Sequence, residues 1–268
     1  MRRTKIMSIT SGKGGVGKST LTANLAYHLA KNGKKVLIFD GDLGMANIDI
    51  MFGVKPLGNI SQVLHGEKLV DEIVTPLDAN IDLISGGSGL VDLQRINHFE
   101  RRALLSSVQE FQGCYDYLLI DTAPGISDNV LSMNAASPRV MVVITPDPSS
   151  LTDSYALIKV LHQEYKMKKF AIFCNQVRDQ VEAAQLFRKF SDVTDRFLNI
   201  SLDDWGYLPF DVQLKKSVQA QRLILKHDKL SNLNANFSEL GNKFERSLMN
   251  LEYSSGLPYF IEQWVGVA

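Results

Sequence analysis

The sequence has 268 residues, of which 45% are hydrophobic and 22% are charged, close to the averages of globular proteins. These proportions exclude a chain that is disordered throughout and favour one large domain with a full core. The 29 Lys and Arg residues balance the 29 Asp and Glu residues, so no overall charge attracts nucleic acid. The two cysteines, Cys114 and Cys174, are far apart, which excludes a disulfide framework or a cysteine-rich metal site.

Short apolar runs bounded by turn residues alternate with longer amphipathic stretches, a pattern typical of βα units around a mainly parallel, buried sheet. The sequence predicts strands at residues 5–10, 36–40, 81–85, 117–121, 140–145, 170–175 and 205–208. It predicts helices at residues 19–32, 99–112, 152–165, 181–190, 211–222 and 237–250, and a connector at 228–236. We therefore expect one domain over residues 1–250 and a separate tail over residues 251–268.

A glycine-rich loop lies between the first predicted strand and the first predicted helix. Its sequence matches the phosphate-binding pattern G-x-x-x-x-G-K-[ST]: Gly12, Lys13, Gly14, Gly15, Val16, Gly17, Lys18 and Ser19. In such a loop the backbone N–H groups and the helix N-terminus bind phosphate. We expect Lys18 to reach the β- and γ-phosphates, Ser19 to ligate Mg²⁺, and Thr20 to lie in the same nucleotide site. The motif predicts a P-loop NTPase, with a twisted sheet flanked by helices on both faces.

Lys13 is a second lysine within this loop. The run from Lys13 to Lys18 resembles the deviant Walker A ATPases of the MinD/ParA class. The resemblance implies that ATP is held between two copies in a homodimer, with Lys13 crossing to the nucleotide of the partner. A cation supplied in this way stabilises the charge of phosphoryl transfer, so hydrolysis would depend on association. A solvent-exposed loop lysine is the alternative interpretation.

Three aspartates follow predicted strands at the edge where doubly wound sheets bind ligands: Asp40, Asp42 and Asp121. By resemblance to the switch regions of MinD, Asp42 orients the attacking water and Asp121 holds Mg²⁺ through a water. Asp40 supports the metal site on the same grounds, and capping of the strand end is its alternative role. Because a lone carboxylate is a weak base at neutral pH, we expect slow hydrolysis, with Lys13, Lys18 and Asp42 as the catalytic group.

The choice of nucleotide base depends on the end of a later strand. A GTPase would carry Asn-Lys-x-Asp there, whereas this chain has Asn175-Gln176-Val177-Arg178. In the MinD class the matching asparagine contacts adenine, so the resemblance implies ATP, with Asn175 at the base and Pro209 and Asp211 lining the same pocket. An ordinary strand-end asparagine is the alternative interpretation.

Residues 147–159 are the most discriminating stretch within the class. They resemble the flagellar-number regulators of the FlhG/FleN type, as do residues 43–49, 193–198, 206–211 and 218–222. The resemblance implies an ATPase that restrains flagellar assembly by binding two partners: the master transcriptional activator of the flagellar genes and the signal-recognition-type GTPase that places flagella. The chain begins with the first strand and lacks the N-terminal extension of some members, so we expect activator binding rather than stimulation of the GTPase.

The C-terminal tail is unusually apolar. Its large apolar residues recur on one face of a helix over residues 257–268: Phe260, Ile261, Trp264 and Val265. Members of the class carry a similar helix that contacts the membrane when ATP drives dimerisation. We therefore expect a cytoplasmic protein that associates weakly and reversibly with the inner face of the cell membrane. A helix docked on the surface of the protein itself is the alternative.

The sequence is also compatible with other functions within or near the same class. A cell-division MinD or a DNA-partitioning ParA is one alternative, although the tail is not basic and the balanced charge gives no reason to expect direct nucleic-acid binding. A P-loop metabolic enzyme is another, but no second site motif is present. An iron–sulfur carrier would need clustered cysteines.

Overall fold

A computed structural model describes residues 4–42, 47–86, 108, 111, 113–227, 233–249 and 257–267. Within these residues one sheet contains eight strands, in the order β3-β4-β2-β5-β1-β6-β7-β8. The strands are β1 (Lys5–Thr10), β2 (Val36–Gly41), β3 (Thr75–Asp78), β4 (Ile81–Ser85), β5 (Tyr117–Thr122), β6 (Val140–Ile144), β7 (Lys169–Val177) and β8 (Ser201–Pro209). Only β3 runs antiparallel to its described neighbour. The predicted mainly parallel sheet is confirmed.

Helices cover both faces of this sheet. The described helices are α1 (Lys18–Lys31), α2 (Ile48–Phe52), α3 (Ile60–Leu64), α4 (Val70–Ile73), α5 (Asp128–Ala135), α6 (Pro148–Tyr165), α7 (Gln180–Phe197), α8 (Val212–Gln219), α9 (Ile224–His227), α10 (Leu233–Met249) and α11 (Leu257–Val267). None of the helices in the described ranges combines the length and the apolar character needed to cross a bilayer.

The central strands are mostly apolar because both of their faces are buried. In β1, Met7 and Ile9 face the layer formed by α1 and α10, whereas Ile6 faces the opposite layer. This alternation follows from the two-residue period of a strand. The glycine-rich loop, at the end of β1, is therefore anchored by a strand with no exposed side.

Several predicted boundaries differ from those in the structure. The strand predicted at 205–208 begins at Ser201, and the helix predicted at 181–190 continues to Phe197. Strand β3 is absent from the prediction because Pro76 and Asp78 are poor strand formers, which an edge strand tolerates. The connector predicted at 228–236 is wrong from Leu233 onward, where α10 begins. Apolar residues at successive turns of α10 pack on the core, and this packing outweighs the polar composition of the segment. The predicted helix at 99–112 lies almost wholly outside the described residues.

The C-terminal helix α11 packs against the sheet. Phe260, Ile261 and Trp264 are fully buried, and Val265 is 6% exposed. The ring of Phe39 in β2 lies 5.4 Å from that of Phe260 and 5.5 Å from that of Trp264, centroid to centroid. Each such side chain contributes roughly 1.5–3 kcal/mol when buried. In this structure the apolar face of the tail is thus docked on the protein, the alternative to lipid contact.

Candidate functional site

The glycine-rich loop joins the end of β1 to the N-terminus of α1. A Cβ atom at Gly12 would lie 2.1 Å from the backbone carbonyl carbon of Asp153 in α6, so only glycine allows this approach. Gly17 caps α1 with φ at 92°, a left-handed conformation that favours glycine. Val16 is 3% exposed and anchors the loop in the core. Two of the predicted glycines are therefore required by packing and backbone geometry.

Lys18 lies at the first turn of α1, with 7% of its surface exposed. Its Nζ donates to the Oγ of Ser11 at 2.9 Å, and the same hydroxyl donates to the carbonyl of Lys13 at 2.7 Å. Burial lowers the pKa of Lys18, while the negative charges of Asp121 and Asp42 oppose that shift. Lys18 is thus a buried cation held at the floor of the loop, beside two of the predicted acidic residues.

Asp121 is the penultimate residue of β5 and is 1% exposed. Its Oδ1 accepts a long hydrogen bond of 3.4 Å from Thr22, and the Ser19 hydroxyl lies close enough to favour its charged form. Its Oδ2 is buried without a hydrogen-bond partner among the described residues. Burial raises the pKa of Asp121 to about 6, although Ser19 and Lys18 oppose the shift. A buried carboxylate oxygen that can still accept a bond, close to the Ser19 hydroxyl, is the kind of oxygen ligand that Mg²⁺ prefers.

Asp40 lies beside Asp121 on the neighbouring strand, in register with it. Its Oδ1 accepts from the N–H of Asp42 at 3.1 Å, and its Oδ2 accepts from the N–H groups of Asn47 and Ile48 at 3.3 and 3.4 Å. Both oxygens therefore cap the backbone that follows β2, the alternative role considered for this residue. The half-buried Asp42 follows β2 directly, close enough to Lys18 to influence its charge.

The ionisation of Asp40 predicts a pH-dependent stability. Burial, together with the charge of Asp121, raises the pKa of Asp40 to about 8. An unfolded aspartate titrates near pH 4, so the folded state binds the extra proton and loses stability as the pH rises toward 8. We expect the free energy of unfolding of the nucleotide-free protein to fall by roughly 1–2 kcal/mol between about pH 6.5 and pH 8.

Urea unfolding at the two pH values measures this effect. Asp40→Asn is the matched variant, since it keeps one acceptor oxygen and removes the titration, and its stability should change far less over the same range. The raised pKa of Asp121, about 6, changes stability in the same direction as that of Asp40 but mostly below this range, whereas the lowered pKa values of Asp78 and His28 act in the opposite direction. A stability that rises with pH in the wild-type chain would contradict the assignment.

The side chain of Lys13 contacts the N-terminus of α6. Its Nζ is 2.6 Å from Oδ2 of Asp147 and 2.6 Å from Oγ of Ser149, both at the N-terminus of α6. The lysine and aspartate side chains are 37% and 48% exposed. In this structure Lys13 is thus neither a free surface lysine nor part of the floor of its own phosphate loop.

A cleft of about 480 Å³ opens beside the loop, between the ends of β7 and β8 and helix α8. Asn175, Pro209 and Asp211 all line it, together with Gly15, Gly17 and Thr20 of the loop. The Nδ2 of Asn175 donates to the carbonyl of Val16 at 2.7 Å, and its Oδ1 accepts from the N–H of Gln176 at 3.0 Å. The amide of Asn175 therefore braces the loop, whereas the cleft itself has room for a nucleotide base.

Four residues of this region are absent from the sequence-based site. Ser11 links Lys18 to the loop backbone, and Gln176, with a positive φ of 58°, donates to the carbonyl of Gly15. Phe210 lines the cleft with 58% of its surface exposed, and Lys215 lies beside it. Phe210 could have been found from the sequence, as an aromatic residue next to the predicted pocket residue Pro209. Ser11 could not, because its hydroxyl takes its role only when the loop is folded.

Comparison with known proteins gives consistent similarities. The profile of a family described as "ParA: NUBPL iron-transfer P-loop NTPase" matches residues 2–245. The chain is 31% identical over 265 residues to the antiactivator FleN of Pseudomonas aeruginosa, covering 99% of this chain and 95% of FleN. It is 38% identical over 224 residues to the flagellum site-determining protein YlxH of Helicobacter pylori, covering 83% and 76% respectively.

A solved structure shares the same architecture. The septum site-determining protein MinD of Pyrococcus horikoshii, complexed with Mg-ADP, superposes with a TM-score of 0.71 and 25% identity. The match covers 93% of this chain and 100% of that structure.

Proposed function

Because this chain belongs to the ParA/MinD family of P-loop NTPases, we propose that it is an ATP-dependent dimerisation switch that regulates flagellar number. The observation that carries the proposal is Lys13, a second lysine in the phosphate loop, in a chain that resembles FleN over nearly its whole length. The family description also names iron transfer, which we do not propose, because the two cysteines at 114 and 174 are not clustered.

The residues of the site have separable roles in this proposal. The loop backbone would bind the phosphates with Lys18 against them, and Ser19 and Asp121 would hold Mg²⁺. The metal ion would neutralise part of the phosphate charge. Asp42 orients the attacking water, Asp40 holds the backbone that carries Asp42, and the cleft beside Asn175 takes the base. A single carboxylate base gives slow hydrolysis, which suits a switch.

The partners we propose are the master transcriptional activator of the flagellar genes and, second, the flagellar signal-recognition-type GTPase. Support comes from the names of FleN, an antiactivator, and of YlxH, a flagellum site-determining protein. Dimerisation would create or expose the surface that the activator binds, so that ATP controls the interaction.

Solution mass and partner binding test this proposal together. The purified chain with Mg²⁺ should be a monomer with ADP and a dimer with a nonhydrolysable ATP analogue. The flagellar activator of the same organism should be retained on the immobilised chain with the analogue and not with ADP. A mass that is the same with both nucleotides would refute the switch and favour a P-loop enzyme of another kind.

We further propose that the protein is cytoplasmic and contacts the inner face of the membrane reversibly. Such contact requires α11 to leave its site on the sheet, since the side chains that would enter lipid are buried against Phe39. The exposed Glu262 adds no attraction to anionic lipid. One tail would bind weakly, and two tails in a dimer would bind more tightly through avidity.

Tryptophan quenching by lipid measures this contact directly. Trp205→Phe leaves Trp264 as the only tryptophan, because the chain contains two. With vesicles of brominated lipid we expect quenching of Trp264 with the ATP analogue and none with ADP. Deletion of residues 257–268 should abolish vesicle binding, and circular dichroism would show whether the truncated chain is folded. Unquenched Trp264 in both nucleotide states would mean that the helix stays docked.

A further inference from the structure

We propose that Phe210 stacks on the base of the bound nucleotide and gives the site a preference for purines over pyrimidines. This inference rests on the proposed function only in placing the base in the cleft beside the phosphate loop. The residues assigned to that cleft from the sequence are Asn175, Pro209 and Asp211, and none of them has an aromatic ring. Phe210 is thus a further specificity-determining residue, to which no motif of the chain gives a role.

The cleft has one apolar wall. The phosphate loop and the first turn of α1 form one part of its lining, and the segment that leads from β8 into α8 forms another. The apolar side chains of this second part are those of Phe210, Leu214 and Val218. The cleft volume of about 480 Å³ lies within the range of about 300–1,000 Å³ that is typical of small-molecule sites. A base in the cleft therefore meets apolar surface along one side.

The backbone of Phe210 is held on both sides, although its ring is largely exposed. Its N–H donates to the carbonyl of Val177 at 2.7 Å, beside an irregularity in the pairing of β7 with β8. The next residue, Asp211, caps α8 through its Oδ1, which accepts from the N–H of Leu214 at 2.8 Å. An aromatic side chain has few torsion angles to fix. A ring placed in this way loses little conformational entropy when a base packs on it.

The exposure of Phe210 gains its meaning from the cleft. Single exposed apolar side chains occur on most protein surfaces, so exposure by itself does not indicate a ligand. Phe197, on α7, is 72% exposed and does not line the cleft, whereas Phe210 is 58% exposed and does. Leu214 and Val218, four residues apart on α8, present one face to the same space, and the ring of Phe210 extends that face.

A purine base has the surface that this wall can cover. Every base offers a π-face to an aromatic ring, and stacking on such a ring tolerates different bases. Because the gain grows with the apolar area that is buried, the two fused rings of a purine gain more than the single ring of a pyrimidine. Helix α8 lies wholly within the described residues, and none of its side chains is buried. It can therefore close on the base without disturbing the core.

Four variants isolate the ring. Phe210→Ala removes it, and Phe210→Leu keeps apolar bulk without an aromatic face. Phe197→Ala is the matched control, since it removes an exposed phenylalanine that lies outside the cleft. Val212→Ala is the control for a change at the start of α8, because Val212 is 54% exposed and does not line the cleft. All four positions are exposed, so we expect circular dichroism spectra like that of the wild type.

Calorimetric titration with ADP and Mg²⁺ is the first readout, because the binding of ADP needs neither dimerisation nor hydrolysis. From the usual contribution of base–aromatic stacking, we expect the dissociation constant for ADP to rise by about tenfold in Phe210→Ala. Phe210→Leu should also weaken binding, and both control variants should match the wild type. Wild-type affinity for ADP in Phe210→Ala or in Phe210→Leu would overturn the stacking.

Ligands with a different base, or with none, provide the second readout. Inorganic pyrophosphate, in competition with ADP, should bind Phe210→Ala as tightly as the wild type, because it has no base. The ratio of the dissociation constants for CDP and ADP should fall by about threefold in Phe210→Ala. An unchanged ratio, or a loss of pyrophosphate affinity equal to that for ADP, would overturn the proposal.

The failure of this inference differs from the failure of the proposed function. Normal ADP affinity in Phe210→Ala, in a chain that dimerises with the ATP analogue, would refute the role of Phe210 alone. Weakened ADP binding in that variant, in a chain whose mass is the same with ADP and with the analogue, would refute the switch alone.

Discussion

Replacing Lys13 by alanine should abolish the dimer that forms with a nonhydrolysable ATP analogue while leaving nucleotide bound to the monomer. The Nζ of Lys13 lies against Asp147 and Ser149, and its contact with Ser11 uses the backbone carbonyl, which alanine keeps. Its removal should therefore spare the binding of nucleotide and remove the cation that a second copy needs. Light scattering with ADP and with the analogue, each with Mg²⁺, measures the mass, and equilibrium dialysis measures the bound nucleotide.

The chain offers a closely matched control for this substitution. Lys34 is paired with Glu245 at 3.2 Å and its side chain is 36% exposed, almost the same as Lys13. Lys34→Ala should dimerise like the wild type. Lys18→Ala should differ from both, because the loss of the buried lysine weakens nucleotide binding itself. A Lys13→Ala chain that dimerises normally would contradict the role of Lys13 across the dimer.

Replacing Asp42 by alanine should lower the rate of ATP hydrolysis by about 100-fold, the typical contribution of a positioned acid or base. Nucleotide binding depends on the loop and on Lys18, so it should persist, and the dimer should accumulate with ATP itself because hydrolysis no longer dissolves it. Phosphate release under single-turnover conditions measures the rate, and solution mass over the same period measures the trapped dimer.

Asp71→Ala is the control for a general loss of negative charge. Asp71 is exposed in the first turn of α4, away from the phosphate loop, and its removal should leave hydrolysis unchanged. Asp42→Asn removes the charge of the side chain and keeps its size, and its rate of hydrolysis should be close to that of Asp42→Ala. Wild-type hydrolysis in either Asp42 variant would remove this residue from its assigned role and direct attention to the other carboxylates at the sheet edge.

The P-loop and the parallel sheet could be predicted because their signals are local. The phosphate-binding pattern from Gly12 to Ser19 is defined by residue types in a fixed order. The strands β1, β2 and β5 are mostly apolar because both of their faces are buried. The position of Asp121 at a strand end likewise follows from the chain order. These features depend on neighbours in sequence, so a single sequence contains them.

Side-chain partners could not be predicted in the same way. The sequence suggested a role at the base for Asn175, but the folded loop shows its amide hydrogen-bonded to Val16 and Gln176. The resemblance suggested that Asp40 supports the metal site, and in the structure its oxygens accept hydrogen bonds from three backbone N–H groups, as in the capping role that was its alternative. A short polar side chain has several possible partners within reach, and which one it takes depends on loops that are distant in sequence.

The phosphate-loop class, the order of the main strands and helices, and the presence of an apolar C-terminal helix can be predicted from the sequence alone. The positions of two features become known only in the folded chain. There α11 docks on Phe39, and Lys13 contacts Asp147, which lies 134 residues later in the sequence. An amphipathic pattern indicates that one face of a helix is buried, and a charged residue indicates that an ion pair can form. The surface that covers the face, and the residue that pairs with the charge, are selected by the packing of the folded chain.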